Sequence, residues 1–189
     1  GRCGMRAVEI LMEEHRVIER VLDALDAAAG ALEAGRPVRP GFFLDAADFI
    51  AGFADGCHHH KEEGVLFEAI AASGLPASEG AVPVILMEHE QARALTRSLR
   101  EAAGRLEQGD PRAGRQVVSS ARAYVALLHD HIAKEDEVLF PMADELLSEA
   151  AHAQVLHGFA RVEQEEPLVG AHDRYLALAR RLEEEIAGC

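Results

Sequence analysis

His58-His59-His60-Lys61-Glu62-Glu63-Gly64-Val65-Leu66-Phe67 returns 73 residues later as His131-Ile132-Ala133-Lys134-Glu135-Asp136-Glu137-Val138-Leu139-Phe140. Both copies read His-x-x-Lys-Glu-acid-x-Val-Leu-Phe. A second pair precedes them: Ile10-Leu11-Met12-Glu13-Glu14-His15 recurs as Ile85-Leu86-Met87-Glu88-His89 with one residue dropped. The chain therefore carries an internal repeat, in which His15, His58/Glu62, His89 and His131/Glu135 are two matched half-sites.

Hydrophobic periodicity places these residues on long helices. Val8, Leu11, His15, Ile18, Leu22, Leu25 and Ala29 alternate by three and four, which predicts a helix from Met5 to about Ala34. A Gly/Pro-rich break at residues 35–41 ends it. A second helix is expected from about Phe42 to Ser73, with Ile50, Ala54, His58, Glu62, Val65 and Leu66 inward. In that register His58–Glu62 faces the core. His59–Glu63 falls with Asp45, Asp48 and Asp55 on the solvated face, and His60 sits at the edge. Ser78 is the expected N-cap of a third helix, which runs to about Gln108 and carries His89 inward. After Gly109-Asp110-Pro111 a fourth helix points Tyr124, His131, Glu135, Val138, Leu139 and Met142 inward, and Pro141 should kink or end it. Residues 148–189 are helical in pattern and split at Pro167 and Gly170. Leu168, Tyr175, Leu178, Ala179, Leu182 and Ile186 offer a last apolar face.

The length of 189 residues fits one domain, with a bundle over about residues 5–147 and a C-terminal extension over 148–189. A net charge of −14 excludes phosphate backbones and anionic membrane surfaces as natural partners. No apolar run is long enough to span a bilayer. Cys3, Cys57 and Cys189 form no CxxC pattern, which points to a reducing cytoplasm rather than a secreted disulfide framework.

Four amphipathic helices with short breaks predict an all-α, up-down-up-down four-helix bundle with additional C-terminal helices. At ~1.5 Å rise per residue, His15 and His58 lie about 20 residues either side of the first break, and His89 and His131 about 20 either side of the third. All four imidazoles reach one level. Residues four apart share a helical face, so Glu62 and Glu135 join them. Two carboxylates in an apolar interior need a cationic partner. Mixed imidazole and carboxylate ligation suits iron, zinc, manganese or copper, and a carboxylate can bridge two cations. His15, His58, Glu62, His89, His131 and Glu135 are therefore the candidate ligands of a dinuclear centre. His59, His60, His129, His152 and His157 read as ordinary surface or packing residues, and replacing His59 should do little.

Glu14-His15, His58-x-x-Lys61-Glu62-Glu63-x-Val65-Leu66-Phe67, Glu88-His89 and His131-Ile132-x-Lys134-Glu135-Asp136-x-Val138-Leu139-Phe140-Pro141 resemble the motifs of the hemerythrin-like family, the HHE cation-binding domain. The likeness covers about residues 6–147. It implies two non-haem iron ions with an oxo or hydroxo bridge, His15, His58, His89 and His131 as terminal ligands, and Glu62 and Glu135 as bridges. Asp136 also has the spacing of a bridge in the oxygen carriers. Those carriers have a further His one turn beyond the third-helix ligand, where this chain has Arg93. Water, Glu19, Tyr124, Glu163, Glu166, His172 or Tyr175 could complete the set, and Glu19 could instead pair with Arg93. The resemblance implies binding or sensing of dioxygen, or reaction with peroxide or nitric oxide, including peroxidase- or catalase-like turnover. The alternative is iron storage or iron sensing without turnover. A monomer or homodimer fits either.

Overall fold

Glycine caps set the length of two of the helices. After α1 (Ala7–Glu33), Gly35 takes φ +71°, and Arg36 N–H reaches back to the Ala31 carbonyl at 2.9 Å. After α4 (Val82–Glu107), Gly109 takes φ +88°, and Asp110 N–H reaches Arg105 at 3.0 Å. Both are left-handed closures that satisfy carbonyls the helix leaves over. The computed structural model describes residues 6–76, 78–165 and 169–187. Expectations placed on Met5, Cys3, Cys189, Glu166, Pro167 and Leu168 lie outside these. Among the described residues there are helices and no strands. α1, a continuous rod over residues 40–72, α4 and a second continuous rod over residues 113–146 form the bundle. The first rod comprises α2 (Pro40–Phe49), wide π-helical turns at Ile50–His59 and Glu62–Leu66, and α3 (Phe67–Ala72). The second comprises α5 (Ala113–Lys134), a π-helical turn at Glu135–Leu139 and α6 (Phe140–Leu146). Two further helices, α7 (Glu149–Val162) and α8 (Ala171–Ala187), pack outside.

The core has two apolar parts. One holds Ile18, Leu22, Leu25, Phe42, Phe53, Leu99, Tyr124 and Leu128. The other holds Leu11, Leu66, Phe67, Ile85, Leu139 and Phe140. Between them every rod changes from apolar to polar. Glu14, His15, His58, His59, Lys61, Glu62, Glu88, His89, His131 and Glu135 are all buried.

Several expectations are corrected. α4 begins at Val82 rather than near Ser78, because Gly80 turns the chain at φ +66° and Pro83 occupies the first turn, where its missing N–H costs nothing. Pro141 does not end its helix, which continues to Leu146. The turn before it is π-helical, with Phe140 N–H donating to the Glu135 carbonyl, so the proline starts a fresh register. The same i→i+5 bond joins Phe67 N–H to Glu62, where the repeat has Glu68 and no proline. The wide turn therefore belongs to the repeated phrase itself. Val138, expected inward, is 55% exposed, because no helix among the described residues lies over it. Its counterpart Val65 is covered by α7, which crosses at Gly158. A Cβ there would come within 2.4 Å of Val65 Cγ1. α8 packs Tyr175, Ala179 and Leu182 against the bundle as the pattern implied.

Candidate metal centre

Five imidazoles, not four, face the polar layer. The wide turn at Ile50–His59 includes a His60 N–H bond to the Asp55 carbonyl. His58 and His59 are each only 1% exposed, and the equivalent pair in the second copy, His131 and Ile132, are each 2% exposed on a plain α-helix, so both positions are covered by neighbouring helices. The 100° periodicity had assigned His59 to solvent. Two sequence signals pointed the other way, the run of three histidines and the apolar Ile132 at the same place in the second copy. Its ring stacks on His89 at 3.9 Å between centroids.

Each of these imidazoles is held from behind by a carboxylate on its Nδ1. His15 donates to Asp136 at 2.7 Å, His58 to Glu14 at 3.1 Å, His89 to Glu63 at 2.6 Å, His131 to Glu88 at 2.9 Å and His59 to Asp55 at 3.4 Å. An ionised carboxylate only accepts, so each Nδ1 carries a proton, and each Nε2 is left facing the layer, where a proton or a metal cation can bind it. The repeated phrase thereby acquires a residue-by-residue meaning. The acid after each inner glutamate, Glu63 or Asp136, orients the imidazole of α4 or α1. The glutamate before each of those imidazoles, Glu14 or Glu88, orients the His that opens the phrase. Lys61 also donates to Glu14 at 2.6 Å, and Lys134 donates to Glu88.

The Nε2 atoms converge on Glu62 and Glu135. Glu62 lies 3.4 Å from His58 through Oε1 and 3.3 Å from His89 through Oε2. Glu135 lies 3.0 Å from His15 through Oε2 and 3.2 Å from His131 through Oε1. All five Nε2 atoms and all four carboxylate oxygens are buried without a hydrogen-bond partner. They form two overlapping groups, His15/His58/Glu62/Glu135 and His59/Glu62/His89/His131, whose donor atoms lie within 4.8 Å of one another in each group. The charge distribution suits a cation. Burial and Glu135 push the Glu62 carboxyl up, but His58 and His89 outweigh them and bring it to about 2. Burial opposes charge on His58, yet Glu62 and Glu14 raise it to about 10. Burial and neighbouring His89 depress His59 to about 4, which keeps it a neutral donor.

All six residues picked from sequence lie in this layer. Of the two bridge candidates, Glu135 points inward. Asp136 is on the outer side, shared between His15 and Arg16. Arg93 does not meet Glu19. It pairs with Asp55 at 2.8 Å, Glu63 at 2.7 Å and Glu90 at 2.6 Å, bracing the carboxylates behind His59 and His89. Glu19 pairs with Arg16. Glu163 and His172 approach Glu14 behind His58, and neither is in the two central groups. Tyr124 is buried in the apolar core, and Tyr175 packs against Phe49 and Phe53. His152 pairs with Asp144 at 3.6 Å, away from the layer. No helix among the described residues is long and apolar enough to cross a membrane.

Comparison with known proteins agrees with this arrangement. The chain is 26% identical over 142 residues to the uncharacterized proteins Mb2018 of Mycobacterium bovis and Rv1995 of Mycobacterium tuberculosis. The match covers 75% of this chain and 55% of theirs, so the chain spans about half the length of these relatives. The model of the hemerythrin HHE cation-binding domain matches residues 6–143, from the start of α1 into α6. Since that match takes in the repeat and every side chain of the buried cluster, the chain belongs to the hemerythrin HHE cation-binding family.

Proposed function

We propose that the cluster holds two iron ions bridged by Glu62 and Glu135, and that the protein uses them to bind or sense dioxygen or to react with peroxide or nitric oxide. One observation carries the two-cation reading. Imidazole Nε2 atoms, held in place by carboxylates behind the rings, face carboxylate oxygens at 3.0–3.4 Å. Such a nitrogen and a carboxylate oxygen need a proton or a metal cation between them, and the donor atoms gather in two groups, each compact enough for one metal ion. The mixed nitrogen and oxygen donor set suits iron among transition metals. When bound, an iron pair supplies two one-electron equivalents and Lewis acidity toward a small oxidant. The chain supplies the rest. His15 and His58 would serve one ion and His59, His89 and His131 the other. The first subsite has one imidazole fewer and is the natural place for an exogenous ligand. The carboxylates on Nδ1 hold the rings in position, and the two apolar halves of the core limit water around the layer.

Elemental analysis of the purified protein, with its aerobic absorption spectrum, tests this reading. Two irons per chain and near-ultraviolet charge-transfer bands are expected. A chain that takes up no redox metal when iron is supplied anaerobically would end the proposal. A second reading, iron sensing or storage without turnover, is favoured by the position of the cluster, which ties all four rods together and so links metal binding to folding. Mixing the reduced protein with oxygen and with peroxide in a stopped-flow instrument separates the two. A sensor shows no repeated turnover.

A further inference from the structure

The C-terminal extension lies beyond the family match, yet it reaches the cluster. Lys61 Nζ donates to Glu163 Oε1 at 2.7 Å and to Glu14 Oε1 at 2.6 Å, and the other oxygen of Glu14 accepts from His58 Nδ1 at 3.1 Å. α7 closes over this line of contacts. Gly158 sits against Val65, and the Phe159 ring lies 5.8 Å from Lys61 Nζ. Lys61 is fully buried as a result.

The repeat supplies an internal control. Lys134, Glu88 and His131 reproduce Lys61, Glu14 and His58 one for one, but no helix among the described residues covers them as α7 covers Lys61. Lys134 is 45% exposed and meets no second carboxylate among the described residues. Val138 and Met87, the counterparts of Val65 and Met12, are 55% and 54% exposed. Two half-sites nearly identical in sequence therefore differ in what stands behind them. A solvated lysine leaves its glutamate free to follow it. A buried one, held between two carboxylates, locks Glu14 and with it the ring of His58.

We infer that the C-terminal extension clamps the His15/His58 subsite through Glu163, which acts as a positioning residue for His58, so that the two cations are held unequally. This rests on the two-cation reading. The test is a titration of the metal-stripped, full-length protein with Co²⁺, read by visible absorption. Unmodified protein should take up two equivalents. Glu163→Ala, at the partly exposed end of α7, should weaken one equivalent by about tenfold or more and leave the other unchanged. Glu163→Gln, which keeps an acceptor without the charge, should fall between. His15→Ala should abolish that same equivalent, and Glu163→Ala added to it should change nothing further. Equal weakening of both equivalents, no weakening of either, or a further loss in the His15→Ala background would overturn the clamp. Melting of the metal-free proteins separates a general loss of fold from a selective one. Failure of the unmodified protein to bind two equivalents defeats the two-cation reading itself, and the clamp falls with it.

Discussion

His59 shows how much one side chain can change the reading of the site. With it, one subsite has three imidazoles and the other two, although the repeat alone supplies two to each. Its ring is stacked on His89, its Nδ1 is turned to Asp55, and its Nε2 faces the layer. His59→Ala should weaken the cation held with His89 and His131 and leave the other in place, because a transition-metal site that loses an imidazole binds more weakly. His60→Ala, at a half-exposed neighbour paired with Glu165, should leave both cations in place. Metal analysis of the two variants decides the matter. An unchanged metal content in His59→Ala would return this residue to the packing role its periodicity implied. Arg93 shows the limit of aligning by position. It stands where the oxygen carriers have a ligand, and here it braces Asp55 and Glu63, which in turn hold His59 and His89.

Helix geometry determines which residues meet. The π-helical turns after Glu62 and Glu135 occur at equivalent places in the two repeats, whereas the turn through Ile50–His59 is found only in the first. The donor set loses its symmetry in the side chains, because the place held by His59 in the first copy is Ile132 in the second, likewise buried, at 2%, on a plain α-helix. Gly158 is a second local requirement. Any side chain there meets the stiff, branched Val65, so Gly158→Ala should push α7 outward and cost about 1–3 kcal/mol. Thermal unfolding should show the loss, and Lys61 should become exposed to amine-modifying reagents. Wild-type stability and a still protected Lys61 would show that α7 accommodates the methyl group. Gly109→Ala is a cleaner case. No atom lies within 4 Å of the added carbon, so only the left-handed backbone resists it, at a cost of roughly 1–2 kcal/mol.

Across the whole molecule, the polar layer interrupts a core that would otherwise be continuous. Four rods each contribute at least one imidazole or carboxylate to it. Cations bound there bind the folded chain only, so they stabilise it by mass action, by about 4 kcal/mol per site at a thousandfold excess over the dissociation constant. A chain of this size shifts its melting temperature by about 2–4 °C per kcal/mol. Removing the metal should therefore lower Tm by on the order of 10–30 °C, and restoring it should reverse the loss. A melting curve indifferent to metal would place the cations, if any, outside the core.

The four helices, their order and the level at which six ligand-type residues meet were legible in the linear sequence, because 3.6-residue periodicity and break spacing are local properties and the repeat states the half-site twice. The lysine and acid of the repeated phrase were visible without a role. Their partners, Glu14, Glu88, His15 and His89, come from other rods. The position of His59 was beyond a fixed-period reading of one helix, because it is packing against a neighbouring helix, seen in the stack on His89, that buries it. The covering of one half-site by α7, and the bareness of its twin, likewise belong to the tertiary structure. Two copies of one phrase dictate the same local shape, but a single tail can lie against only one of them.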